Sequence, residues 1–438
     1  MVQRHGYLLG SWCSLVSTLD CQSRGRGFNS RRARQKSSGC QEWGLVTRPH
    51  SPRPLQPALT LGQAPIRVGI DSHGAEADGE GNATYSRNLI SALYTAEGDH
   101  SLALFAADPA HPFYRGLPPR PRSRVVRVSQ GAGILRVALT LGRAAARERV
   151  DCLHVQYAGP LGWWRPLVVT VHDLGFLHLP ASFPAALRLA LRVLVPRSIA
   201  RASRVITCSE FVRRDIEARY GVAAGKVAVI PLGAVAGFRP RPPEETAGVL
   251  ARYGLVPGFL FALGRLNRRK NLERLLLAYG RLREAGVSDA PLVIGGKPDY
   301  GVDEVLRRAR LSPDSRAVRF MGLIPDADLP HFYGGAACFV YPSLFEGFGL
   351  PLIEAMACGT PVVSSDRSAM PEVVDGAGLL VDPENVDAIA DAIARVLGDA
   401  DLARDLGRRG LERSRRYSWS ETAGRTLTVY REAVLQPR

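Results

Sequence analysis

The stretch CFVYPSLFEGFGLPLIEAMACGTPVVSS, residues 338–365, reads as a strand, a glycine-bearing loop, a helix and a second strand. Residues 338–341 and 361–365 are short β-branched and aromatic runs without polar alternation, the pattern of strands covered on both faces of a parallel sheet. Between them Pro351 suits a first helical turn, LIEAMAC continues the helix, and Gly359 ends it. Strand, helix, strand makes a βαβ unit. The loop carries Gly347 and Gly349, both able to take positive φ. That geometry presents the backbone amides of Phe348, Gly349 and Leu350 at a helix N-terminus, a ready anion site. Glu346 precedes the turn and Glu354 lies inside the helix, so the two carboxylates cannot share a helical face. They can line one pocket at two depths.

The same alternation extends outward in both directions. Strand patterns occur at 66–70, 102–106, 125–128, 152–155, 167–171, 204–208 and 227–231, then, after the Pro- and Gly-rich stretch PLGAVAGFRPRPPEE (231–245), at 259–263, 292–296, 317–320, 338–341, 361–365 and 378–381. The interruption reads as an interdomain linker. Two consecutive doubly wound α/β domains follow, which suits a chain of 438 residues and 46% hydrophobic content, too long for one ordinary core. In such sheets ligands sit at the carboxyl ends of strands, so the strand-exit loops are the place to look.

The net charge of +16 is spread along the chain and is nearly all arginine, with four lysines only: Lys36, Lys226, Lys270 and Lys297. Without concentration on one element it does not point to nucleic acid. The seven cysteines show no CxxC pair or metal-ligand spacing, and Cys152, Cys208, Cys338 and Cys358 fall in apolar runs, as reduced buried thiols of a cytosolic protein do. Residues 1–64 differ from the rest, with SRGRGFNSRRARQKSS, RPHSPRPLQP and two acidic residues, Asp20 and Glu42. They read first as a disordered, dispensable extension, against a targeting segment built on YLLGSWCSLVSTL or a downstream natural start. No run of about 18 uncharged apolar residues occurs, so no transmembrane helix is expected.

Two exit loops carry chemistry. GRLNRRKN follows the strand at 259–263 and places Gly264, Arg265 and Lys270 just before a helical pattern, where two cations beside helix amides can clamp a pyrophosphate. Solvated charges are the ordinary content of such a loop. GGKPDYG, at 295–301, offers Gly296 for close approach of a ligand to the backbone, a weak signal alone.

Taken together, EGFGLPLIE, the preceding VYPS, the following AMACGTPVVSS, GRLNRRKN, FMGLIPDADLPHFY, VVDGAGLLVDPENVDAIADAI, GEGNATYSRNLISAL, VTVHDLGF and YSWSETAGRTLTVY resemble the retaining glycosyltransferases of the GT-B fold, in the large family often numbered four. The resemblance covers roughly residues 65–435. It implies two Rossmann-like domains facing across a cleft, acceptor-side at 65–238 and donor-binding at 239–420, with a C-terminal helix at 421–438 crossing back to the first domain. It also implies roles. Arg265 and Lys270 hold the donor diphosphate and stabilise charge on the departing nucleotide, as cleavage of a glycosyl phosphate bond requires. Glu346 faces the donor sugar, where a carboxylate accepts hydroxyl hydrogen bonds and favours an oxocarbenium-like centre. Glu354 accepts from the ribose hydroxyls. His172, in TVHDLGF, lies against the transferred sugar, Asp173 orients its loop, and Gly79, Gly81 and Tyr85 form a close-approach loop beside acceptor and phosphates. The family usually carries paired glycines there, and Glu80 between Gly79 and Gly81 departs from that pattern. Base-reading contacts fall at 321–324, including Met321 and Leu323. A lone histidine after a strand is, without that context, more often structural.

The expectation is a cytoplasmic, metal-independent, cofactor-free hexosyltransferase using a nucleotide diphosphate sugar, GDP-mannose first and a UDP-hexose second, with a saccharide or lipid-linked saccharide acceptor. The stretch FPAALRLALRVLVPRSIARASR, 183–204, fits either an ordinary surface helix with arginine stems over apolar area or one lying peripherally on an anionic membrane, with Pro196 interrupting its periodicity. Other readings are a GT-B phosphorylase or epimerase, for which pyridoxal-anchoring lysines are scarce, and an inactive nucleotide-sugar-binding module.

Overall fold

A computed structural model describes residues 65–435 apart from 78–80, 129–135, 235–236 and 312–315. The extension at 1–64 and Gly79 therefore lie outside the described residues.

All thirteen apolar runs form strands, with ends shifted by a residue or two: β1 Ile66–Asp71, β2 His100–Ala106, β3 Arg124–Arg127, β4 Cys152–Gln156, β5 Leu167–Thr170, β6 Arg204–Thr207, β7 Val227–Val229, β8 Phe259–Leu263, β9 Leu292–Gly295, β10 Val318–Gly322, β11 Ala336–Tyr341, β12 Val362–Ser365 and β13 Leu379–Val381. They build two sheets, ordered β3-β2-β1-β4-β5-β6-β7 and β10-β9-β8-β11-β12-β13. Every pairing in them is parallel. Helices cover both faces of each, which is why the strands show no polar alternation: Val68, Leu102, Leu104, Val168, Phe259, Phe261, Val293 and Phe339 are all fully buried. The four cysteines of the described region are free and buried.

The strand orders matter for function. Each reverses direction at one point, β1 beside β4 in the first sheet and β8 beside β11 in the second, and at such a switch point the loops leaving neighbouring strands splay apart to open a crevice. GRLNRRKN leaves β8 and PSLFEGFG leaves β11, so the two charged loops face one another across that crevice.

The final helix, Trp419–Leu435, returns to the first domain. It packs along the helix Gly81–Thr95, its Thr422 hydroxyl donates to the Pro231 carbonyl at 2.8 Å, and its Tyr430 hydroxyl bonds His154 Nδ1 at 2.7 Å in the core. The helix Ala185–Arg201 continues through Pro196 without a break, contrary to the interruption its sequence suggests. Burial of Leu191, Val195 and Ile199 on one face holds it together. Among the described residues no helix is long and apolar enough to cross a membrane.

Candidate active site

The loop between β8 and the helix Leu272–Glu284 makes one 3₁₀ turn, Arg268–Lys270, and ends on Asn271 in the left-handed region at φ 58°. Asn tolerates that conformation, and the Asn271 amide donates to the carbonyls of Pro342 and Pro383 at 3.0 and 2.6 Å, tying the end of the loop to the β11 exit. The turn folds Lys270 back over Gly264, where a Cβ would lie 2.7 Å from Lys270 Cε. Gly264 in turn backs onto Gly296, whose Cβ would fall 1.8 Å from the Gly264 carbonyl oxygen. These two glycines are needed for close approach of one loop to another.

Lys270 Nζ donates to Glu346 Oε1 at 2.7 Å and to the Tyr341 hydroxyl, and lies 4.4 Å from the Tyr341 ring centroid. Arg269 donates to Asp173 Oδ2 at 3.0 Å and reaches Glu346 Oε2 at 3.6 Å. Two cations and two carboxylates thus form a neutral cluster. Glu346 is only 6% exposed. Burial alone would raise its carboxyl, but Arg269 and Lys270 overcome that and hold it down at about 2. Burial lowers the Lys270 ammonium, with Glu346 opposing. For Arg269 burial is outweighed by Glu346 and Asp173, which keep the guanidinium charged. Arg265, by contrast, sits a third exposed, its Nε 3.5 Å from Asp299 Oδ2, outside this cluster and toward the β9 exit.

The β11 loop has the shape its sequence suggests in one respect and departs from it in another. Gly349 takes φ 94° and Pro351 lies in the first turn of the helix Leu350–Ala357. Gly347 is not in the left-handed region; what it lacks is room, since a Cβ there would lie 1.9 Å from the His172 carbonyl oxygen and 2.9 Å from Asp173 Cβ. Phe348 turns its ring into the core, edge-on to Tyr417 at 5.7 Å, leaving its backbone for a ligand. One turn along the helix, Glu354 accepts from the Tyr333 hydroxyl at 2.9 Å and is 7% exposed.

Among the described residues no cation pairs with Glu354, and it behaves oppositely to Glu346: burial pushes its carboxyl up to about 7, the Tyr333 hydrogen bond opposing and Asp326 adding to the rise. Between pH 4.5 and about 7 the native state keeps a proton that the unfolded chain releases, so stability falls as pH rises through that window. Glu354→Gln is therefore expected to unfold later than the parent at pH 8, by roughly 1–3 kcal/mol, and to converge with it at pH 4. Thermal unfolding across that range checks this; a constant offset at all pH values would show that the carboxyl is not the cause.

Across the cleft, His172 follows β5. Its Nε2–H donates to Gln156 Oε1 at 2.8 Å, and Gln156 Nε2 donates to Ser86 Oγ at 2.8 Å, so the amide orientation is set from both ends. Tyr85 packs edge-on to the imidazole at 4.5 Å. Burial lowers His172 to about 4, so the ring is neutral near pH 7. Asp173 Oδ1 accepts from the Gly175 amide at 2.8 Å while Oδ2 holds Arg269, so Asp173 both shapes its loop and joins the domains. The junction is extended by Ser209, whose hydroxyl caps the helix Glu210–Tyr220 and donates to the Gly347 carbonyl at 2.7 Å. Glu372 accepts from the amides of Glu210 and Phe211 at 3.0 and 3.2 Å.

The structure thus brings Lys270, Glu346 and His172 to facing rims, with Gly264, Gly296, Gly349 and Leu350 as the backbone around them. Gly81 begins its helix exposed. Met321 lies half-buried at the end of β10 and Leu323 just beyond it, 45% exposed. The sequence reading did not single out Arg269, Tyr341, Tyr333 or Gln156. No pattern in GRLNRRKN distinguishes Arg269 from Arg265 or Arg268; the 3₁₀ turn Arg268–Lys270 is what sets Arg269 beside Glu346 and Asp173.

Residues 256–413 match the family model described as glycosyl transferases group 1, and residues 80–236 match that of glycosyltransferase family 4. The chain is 34% identical over 265 residues to the O-antigen chain mannosyltransferase B of Escherichia coli, covering 60% of this chain and 70% of that one. It is 32% identical over 304 residues to the D-inositol 3-phosphate glycosyltransferase of Nocardia farcinica, covering 65% and 67%. Among solved structures it resembles the sucrose-phosphate synthase of Thermosynechococcus elongatus, with a TM-score of 0.66 and 25% identity over 84% of this chain and 99% of that one. Two facing parallel-sheet domains with the site between them define a glycosyltransferase of the GT-B fold. The chain belongs to glycosyltransferase family 4.

Proposed function

We propose that this enzyme moves a hexose from a nucleotide diphosphate sugar to a hydroxyl of a saccharide or lipid-linked saccharide with retention of anomeric configuration, mannose from GDP-mannose being the first donor to test and a UDP-hexose the second. The observation that carries it is the Arg269–Lys270–Glu346 cluster, built on the buried Glu346 at the β8/β11 switch point, opposite a neutral His172. In the free enzyme Glu346 and Asp173 compensate the two cations. An arriving diphosphate offers them a second set of anionic oxygens, beside the amides of Phe348, Gly349 and Leu350. Charge builds on the leaving phosphate as the glycosyl bond breaks, and fixed cations stabilise it most at that point. Glu346, still ionised, faces the sugar side, and Glu354 with Tyr333 is suited to the ribose hydroxyls. The leaving group is already an anion, so no carboxylic acid is needed to protonate it, unlike a glycosidase pair. Mannose is favoured by the mannosyltransferase relative. No metal or organic cofactor is required by this scheme.

Purified protein incubated with GDP-mannose, UDP-glucose and ADP-glucose, with and without EDTA, and read by proton NMR of early product, tests the reading. Consumption of one donor, unaffected by the chelator, with the product anomer matching the donor is the expected result. Inversion, or activity restored only by Mg²⁺ or Mn²⁺, overturns the scheme.

A further inference from the structure

The helix Ala185–Arg201 carries Arg188, Arg192, Arg197 and Arg201, and no Asp or Glu occurs anywhere in 183–204. Two other exposed helices pair most of their arginines with acids a turn away. In Glu210–Tyr220, Arg213 pairs with Glu210 and Glu217, and Arg219 with Asp215. In Ala400–Ser414, Arg404 pairs with Asp401, Arg408 with Asp405 and Glu412, and Arg409 with Asp405. Among the described residues Arg192, Arg197 and Arg201 have no such ion pair, and Arg188 reaches only the Pro180 carbonyl at 3.2 Å.

The apolar content of this helix is also divided. Leu191, Val195 and Ile199 face the core, while Leu189 and Val193, one turn apart on the outer side, are 65% and 40% exposed and flanked by Arg192 and Arg197. The loop after β4 is fastened to the same helix by the Gly159 amide donating to Ser198 Oγ at 2.9 Å, and it exposes Leu161 and Trp164. Single exposed apolar residues are ordinary. An outer face that combines large apolar side chains with uncompensated arginines and no acid suits contact with an anionic surface.

Its position adds a reason. Phe183, two residues before the helix, and Phe345 of the donor loop both border Gly175, whose Cβ would lie 3.6 Å from Phe183 and 3.5 Å from Phe345. The amino end of the basic helix therefore starts at the cleft. We propose that the outer face of Ala185–Arg201 docks on an anionic lipid bilayer and so sets the cleft mouth at the surface where a lipid-linked acceptor resides, which rests on the acceptor class proposed above. A second copy of the chain fits this face poorly, because a two-fold contact would set arginines against arginines.

Flotation of the full chain with vesicles of phosphatidylcholine alone, and of phosphatidylcholine mixed with phosphatidylglycerol, tests this directly. Binding is expected only to the mixed vesicles, weakening as salt is raised. The triple charge reversal R192E/R197E/R201E, and separately L189D/V193D, should each reduce it by at least about tenfold. The same charge change on the paired helix, R404E/R408E/R409E, should leave it nearly unchanged, and circular dichroism verifies that all three variants are folded. Equal loss from both triple reversals, equal binding to uncharged vesicles, or binding indifferent to the 185–201 changes overturns the proposal. Activity on a water-soluble acceptor should be unaltered in the 185–201 variants, so failure of vesicle binding and failure of the transferase reading are separate results.

Discussion

Lys270→Ala is expected to lower kcat by at least about a hundredfold, equivalent to roughly 2.7 kcal/mol of lost transition-state stabilisation, while nucleotide affinity falls far less. The ammonium is buried, donates to Glu346 at 2.7 Å and is held over Gly264 by the 3₁₀ turn, so it is already placed when a donor arrives. Its interaction with phosphate strengthens as charge builds on the leaving oxygen, and that difference between ground and transition state is what appears in kcat. Arg269 remains beside Glu346 at 3.6 Å in the variant, so the carboxylate is not left without a cation and the domain should still fold. Calorimetry with the nucleotide and single-turnover product formation separate the two effects. Equal losses of affinity and turnover would mean that Lys270 serves binding alone, and unchanged turnover would favour an inactive sugar-nucleotide binder.

Gly347→Ala is expected to reduce turnover by a comparable factor through a different cause. Its added methyl would occupy the space 1.9 Å from the His172 carbonyl oxygen and 2.9 Å from Asp173 Cβ, both in the other domain. The nearest escape is to part the domains, which breaks the Ser209 bond to the Gly347 carbonyl and stretches the Asp173–Arg269 pair. Catalytic groups on two rims lose effective molarity steeply when displaced by about an ångström, a loss of the order of a hundredfold. Each sheet keeps one core layer of its own, around Phe105 and Val169 in the first and around Leu260 and Val363 in the second, so nucleotide binding and the melting of the C-terminal domain should be nearly preserved. Small-angle scattering should report a larger radius of gyration than the parent. Full activity in the variant would show that the contact between Gly347 and His172 is not part of the working state.

The chain's own pattern determined the two doubly wound sheets, because a strand covered on both faces must be apolar at every position and a helix between two such strands forces them parallel. Pro351 and Gly359 bracketed the helix after the β11 loop through local backbone preferences alone. Those effects act over a few residues and are written directly in the sequence. Which cation joins the carboxylate cluster was decided only by tertiary structure: Arg265 and Arg269 look alike in GRLNRRKN, yet Arg269 lies half-buried between Asp173, 96 residues earlier in the chain, and Glu346. The purpose of Gly347 was likewise hidden, since a missing side chain reads the same whether it frees a torsion or makes room for a carbonyl from another domain. The unlike carboxyls of Glu346 and Glu354 follow from the same cause, for burial penalises both and only Glu346 has cations brought to it by the fold.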